Sequence, residues 1–181
     1  MQPDDSSAHG RRASDVSVVI PTYRRGEVLL RTLELLFRLD PPPGEILVVD
    51  QTEQPSAEVA QALRRLESAG RIRVVRFSPP SIPRAMNVGL REAKGAVALY
   101  LDDDVEPAAD LAAAHAARYA GGCAAVCGQV LQPGEVPDPA ANQGPRAEGF
   151  RADLDFRFCG TREAELASVI SCNLSVDRET A

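Results

Sequence analysis

Three consecutive aspartates, Asp102, Asp103 and Asp104, close the apolar run of "ALYLDDDVEP". In an extended segment side chains alternate between faces, so Asp102 and Asp104 share one side and Asp103 takes the other. Two like charges about 4 Å apart repel by about 1 kcal/mol in bulk water and about 4 kcal/mol at an effective dielectric constant of about 20. A divalent cation turns that repulsion into attraction. A set of oxygen donors suits Mg²⁺ or Mn²⁺ rather than a soft metal, and Mg²⁺ characteristically takes one or two carboxylates and completes its shell with substrate phosphates. The competing reading is a solvated turn in which Asp104 or Glu106 stabilises the start of a helix at Pro107.

The surrounding elements favour the cation. "DVSVVIP" is a β-branched run stopped by Pro21, and Val28, Leu29, Leu33, Leu36 and Phe37 then recur at helical spacing over Arg25 to Leu39. "EILVVD" (45–50) is a second buried strand, followed by a helix over Ser56 to Ala69 that stops at Gly70. "IRVVRF" is a third strand, "SIPRAMNVGLREAKG" a helix ending at Gly95, and "AVALYL" the fourth strand, which delivers the aspartates. Pro107 suits the first turn of a helix running to about Tyr119, and "CAAVCGQV" reads as a fifth strand with Cys123 and Cys127 as small core fillers. Strand–helix alternation predicts an α/β fold, a mainly parallel sheet with helices on both faces. Ligands of such sheets bind beyond the carboxyl ends of the strands. Pro21 to Arg25, Asp50 to Thr52, Ser78 to Arg84 and the three aspartates all fall at that edge.

Composition sets the bounds. The 181 residues make one domain, or one and a fragment; 44% hydrophobic residues suffice for a core, which rests on aliphatic side chains because aromatics are 4% and Trp is absent. Twenty Lys and Arg against 26 Asp and Glu leave a net charge of −6, which argues against nucleic acid as a partner. Four cysteines show no disulfide or metal spacing, pointing to a reducing compartment. With no apolar leader and no run of about 20 apolar residues, a cytoplasmic protein is expected, with contact at the inner face of the cell membrane left to segments outside the chain. The Ala, Arg and Pro content points towards a GC-rich bacterial genome as the expected source.

In order, "SVVIPTYRR", "EILVVDQT", "PRAMNVGLREAKG" and "YLDDDVEP" resemble the family 2 glycosyltransferases of the GT-A fold. The resemblance covers Val16 to Gln132 and resumes at "SCNLSVDRE", which is similar to the segment that follows that family's nucleotide-binding half. It implies transfer of a sugar, with inversion, from a nucleotide-sugar donor (UDP, TDP or GDP) to a hydroxyl of a saccharide, lipid-linked or small-molecule acceptor. It implies a Mg²⁺ or Mn²⁺ cofactor. Pro21, Thr22 and Tyr23 would contact the nucleoside, and Asp50 the base or ribose. Arg84 would approach the nucleotide, against the alternative of a solvated helix arginine. The triple aspartate matches the family's D-x-D signature: Asp104 as direct metal ligand, Asp102 assisting through the ribose or a coordinated water, Asp103 towards the donor sugar. Gln51 stands where the family often has a second acidic residue, so the base preference stays open. Gly89, in the pattern "RAxNxG", would allow a helix to pack closely on the sheet. The family's general base lies beyond the segment resembling "SCNLSVDRE". It is therefore expected beyond Ala181, and no catalytic base is named.

The expected organisation is a disordered tail over 1–14, a nucleotide-sugar-binding domain over 15–132, a Pro- and Gly-rich loop or insertion over 133–165, and over 166–181 a return to strand near Val169 that begins a truncated acceptor-side region. Asp177 and Glu179 read as surface charge, and His115 as a solvated mid-helix residue. Two rivals remain. A nucleotidyltransferase would carry a glycine-rich basic loop after the first strand, which "PTYRRGEV" fits poorly. An inactive or fragmentary nucleotide-sugar-binding module differs from the enzyme only downstream.

Overall fold

The computed structural model describes residues 10–142, 157–164 and 169–181. Four parallel strands alternate with helices: β1 (Val16–Thr22), α1 (Gly26–Leu36), β2 (Glu45–Asp50), α2 (Ala57–Ser68), β3 (Arg73–Arg76), α3 (Ile82–Glu92), β4 (Val97–Leu101) and α4 (Leu111–Arg118). Two further strands, β5 (Ala125–Cys127) and β6 (Asn173–Asp177), complete one sheet of order β3-β2-β1-β4-β6-β5.

Periodicity explains the layers. Val16, Val18 and Ile20 of β1 face a core made with Leu29, Leu33 and Leu36 of α1, Val59 and Leu63 of α2, and Ala112 and Ala116 of α4. Val19 points the other way, to Leu47, Val49, Ala98, Tyr100 and Ala85 of α3. Each fully buried aliphatic side chain contributes about 1.5–3 kcal/mol, so a strand apolar on both faces is driven to the middle of the sheet. Gly89 bears out its expected role: a Cβ there would stand 2.2 Å from Val19 Cγ1, so only glycine lets α3 sit this low on β1.

The fifth strand expected over 123–130 is present as β5 and pairs antiparallel with β6. The return to strand expected near Val169 begins at Asn173 as β6, which lies antiparallel between β4 and β5, with Leu101 opposite Asn173 and Val97 opposite Asp177. β6 pairs with the backbone edge of β4 that β1 leaves open. Asp177 is accordingly buried rather than surface charge, paired with Arg11 at 3.0 Å. Burial pushes its carboxyl up, but the Glu179 backbone N–H and Arg11 outweigh this and hold its pKa below the ordinary value. Beyond β6 the chain returns to solvent, and Glu179 and Ala181 are both exposed.

Other boundaries shift. The expected tail lies outside the described residues over 1–9, while Ala13 is buried in a short 3-10 turn, Ala13–Asp15, against the core. The helix expected from Pro107 starts at Leu111; Val105 packs on the core instead, and the Ala109 carbonyl accepts the Asp40 N–H at 2.9 Å. Cys123 is exposed and Cys127 half-buried, so neither is a core filler, whereas Cys159 is buried. His115 is buried, not solvated. The described parts of the 133–165 segment hold each other: Asn142 Oδ1 accepts the Arg157 N–H at 2.9 Å, and the Asp138 N–H donates to Cys159 O at 3.0 Å.

Candidate functional site

The chain builds outward from β1 to β2 and β3, then crosses to β4 on the other side of β1. Such a reversal opens a crevice at the carboxyl ends of the flanking strands. Thr22 ends β1, Asp50 ends β2, and Asp102 follows β4, so parallel pairing alone brings these three to one edge.

β4 ends at Leu101, and Asp103 and Asp104 lie in a turn rather than in the extended segment expected; Asp102 and Asp104 are exposed and Asp103 is 4% exposed. Asp103 Oδ2 accepts the Thr22 hydroxyl at 2.7 Å, and its backbone carbonyl accepts the Thr32 hydroxyl of α1 at 2.8 Å. Arg25, the residue before α1, spans two carboxylates: Nη1 is 2.8 Å from Asp103 Oδ1 and Nη2 is 2.7 Å from Asp104 Oδ2. Burial raises the Asp103 pKa against the opposing Thr22 hydrogen bond and Arg25 charge. Desolvation, then the charges of Asp104 and Asp103, raise that of Asp102, with Arg25 opposing. The hydrogen bond to Asp104 and the charge of Asp103 hold Arg25 more firmly protonated.

Beside this rim lies a cavity of about 690 Å³ between the starts of α1 and α2, lined among others by Thr22, Arg25, Asp50, Thr52, Glu53 and Ser56. Asp50, 3% exposed, accepts the Thr52 N–H at 2.8 Å on Oδ1 and pairs with Arg76 through Oδ2. Gln51 is buried: its side-chain oxygen accepts the Ser81 N–H at 2.6 Å, tying the approach to α3 onto β2.

Of the residues singled out from sequence, Thr22 and Asp50 line the cavity, and Asp103 and Asp104 meet it through their pairs with its lining residue Arg25, with Asp102 beside them in the chain. Pro21, Tyr23 and Arg84 are not among its lining residues. Tyr23 is 38% exposed, with the Arg24 guanidinium 4.9 Å from its ring centroid. Arg84 is exposed on α3, 5.1 Å from the Phe77 ring centroid. Sequence reasoning missed Arg25 and Arg76 as partners of the acidic residues. Arg76 sits opposite Asp50 in the parallel register of β2 and β3, a signal readable only once strand order is known. For Arg25 the signal was the need for counter-charge beside three carboxylates at one edge.

The family model for glycosyl transferase family 2 matches residues 17–164. The chain belongs to glycosyl transferase family 2. No curated protein matches it in sequence. Among solved structures, the mannosyltransferase PcManGT from Pyrobaculum calidifontis, in complex with GDP-Man and Mn²⁺, superposes with a TM-score of 0.60 at 20% identity, over 96% of this chain and 46% of that one. TarS 1-349 from S. aureus gives a TM-score of 0.63 at 18% identity, over 90% of this chain and 47% of that one. The UDP complex of TarS 1-349 gives a TM-score of 0.56 at 21% identity, over 71% and 39%. At these identities the likeness is one of fold, and it makes the sheet a GT-A sheet. The family 2 chain spans less than half the length of these structures.

Among the described residues, no group of three or more His, Cys, Asp or Glu side chains is arranged to hold a metal. The protein offers two exposed carboxylates, which suits Mg²⁺ or Mn²⁺ completed by phosphate oxygens, and the Arg25 guanidinium already takes a cation's place at Asp104. Among the described residues, no helix is long and apolar enough to cross a membrane.

Proposed function

We propose that this family 2 member binds a nucleoside diphosphate sugar through a divalent ion and serves an inverting transfer of the sugar to an acceptor hydroxyl. The observation that carries this reading is the join between rim and cavity: Arg25 lines the cavity and pairs with Asp104. A diphosphate reaching from the cavity would meet the acidic rim. The GDP-Man and Mn²⁺ of the mannosyltransferase and the UDP of TarS support a donor of this class.

In this reading Thr22 and Asp50 meet the nucleoside in the cavity, Pro21 and Tyr23 contact it from the loop after β1, and Arg84 approaches the nucleotide. Asp104 is the direct ligand of Mg²⁺ or Mn²⁺, and Asp102 assists through the ribose or a coordinated water. When bound, the ion stabilises the negative charge that develops on the leaving nucleoside diphosphate. Asp103 is a positioning residue, because its carboxylate is committed to Thr22 and Arg25. The acceptor hydroxyl attacks the anomeric carbon from the face opposite the leaving group and gives its proton to a carboxylate base. None of the described residues is assigned that role. A saccharide, a lipid-linked sugar and a small molecule all remain acceptor classes of the proposal. A chain spanning less than half of its structural neighbours also supports a second reading, a donor-binding module without transfer.

Calorimetry with UDP, TDP and GDP, with and without Mn²⁺ or Mg²⁺, tests the proposal. Binding should require the ion and be lost in Asp104→Ala. Asp50→Ala should weaken nucleotide binding about tenfold while leaving the ion requirement in place. Binding that ignores both the ion and Asp104→Ala removes the metal role. A donor-turnover assay separates the transferase from the binding module.

A further inference from the structure

Arg25 holds two carboxylates that differ in kind. Asp103 is buried, fixed by the Thr22 hydroxyl, and its side chain is 6% exposed. Asp104 is half open to solvent, with its side chain 48% exposed. A charge pair with a buried, hydrogen-bonded carboxylate is costly to break, whereas a solvent-exposed pair contributes little and exchanges readily. The guanidinium is therefore anchored at Asp103 and exchangeable at Asp104.

Resting on the proposed metal role of Asp104, we infer that Arg25 is a resident counter-cation that competes with the divalent ion for this carboxylate. In the free protein the guanidinium neutralises the rim and keeps affinity for the bare ion low. An arriving ion must take Asp104 from Arg25 and accept a positive charge beside it, still anchored at Asp103. A diphosphate relieves that repulsion with its own negative charge. Ion and nucleotide thus favour each other's binding, and by linkage each raises the other's affinity by the same factor. Arg25 supplies part of that coupling by penalising the ion alone.

The test is Mn²⁺ binding to the full chain, read by electron paramagnetic resonance of free Mn²⁺, first without nucleotide and then with saturating UDP or GDP, whichever the chain binds. Arg25→Gln should bind Mn²⁺ alone about tenfold more tightly, because a unit positive charge a few ångströms from a divalent ion is removed. The gain in Mn²⁺ affinity on adding nucleotide should shrink correspondingly. The same substitution made in an Asp103→Asn background, compared with Asp103→Asn alone, should also tighten Mn²⁺ binding without leaving Asp103 charged and unpaired, and a thermal melt confirms that both variants fold. Unchanged or weaker Mn²⁺ binding in both variants overturns the inference while leaving the metal role standing. Mn²⁺ binding that Asp104→Ala does not alter overturns the metal role itself, and the inference with it.

Discussion

The Thr22 hydroxyl donates to Asp103 Oδ2 at 2.7 Å, joining the carboxyl ends of β1 and β4 across the point where the sheet reverses direction. Both residues are at most 4% exposed. This bond closes the crevice floor and turns Asp103 inward, which leaves Asp102 and Asp104 as the outward pair.

Thr22→Val keeps the shape of the side chain and removes the donor. It should destabilise the fold by about 1–3 kcal/mol, the range for a buried acceptor deprived of its partner, read from the urea midpoint at constant slope. Asp103→Ala also strands Arg25 and should cost more than Thr22→Val. An exposed substitution such as Asp104→Ala should leave the midpoint nearly unchanged. Equal midpoints for all three variants would show that the inward and outward carboxylates do not differ in role.

Gly89→Ala places a methyl group 2.2 Å from Val19 Cγ1. Overpacking of this kind costs about 1–3 kcal/mol. Adding Val19→Ala should recover part of the loss, because the cost is a collision between two named side chains rather than a change in helix propensity. A double variant less stable than both single variants would contradict the close approach.

His115 gives a pH dependence. Its Nε2 faces Asn173 Oδ1 at 2.8 Å and its Nδ1 faces Ser175 Oγ at 2.7 Å, and Tyr119 Oη lies 2.7 Å from the same Ser175 oxygen. Because Asn173 Oδ1 can only accept, the neutral ring donates from Nε2 and accepts the Ser175 hydroxyl on Nδ1. Burial lowers the His115 pKa, with the Asn173 hydrogen bond opposing. The unfolded chain therefore takes up this proton at higher pH than the folded one. Stability is unaffected above the unfolded value of about 6.5 and falls as pH drops below it towards the lowered folded value. Urea midpoints at pH 7.5 and 5.5 should differ more for the wild type than for His115→Asn. A wild-type midpoint that rises on acidification relative to the variant would reverse the sign of this argument.

Local periodicity determined much of this protein. Apolar runs bounded by Pro, Gly and Asp placed β1 to β4 and the helices between them. The spacing in "RAxNxG" placed Gly89 where a helix meets the sheet. All of these are decided within a few residues, by side-chain alternation and helical pitch, so they can be read along the chain.

Tertiary structure decided which distant groups meet. Arg25 reaches Asp103 and Asp104, and Arg76 reaches Asp50, only because the strand order sets their elements side by side. β6 fills the open edge of β4, and that contact buries Asp177 and His115, which as sequence read as surface groups. Burial and ion pairing depend on neighbours supplied by other strands, and neither the antiparallel insertion of β6 nor the partner of a charge leaves a mark in local periodicity.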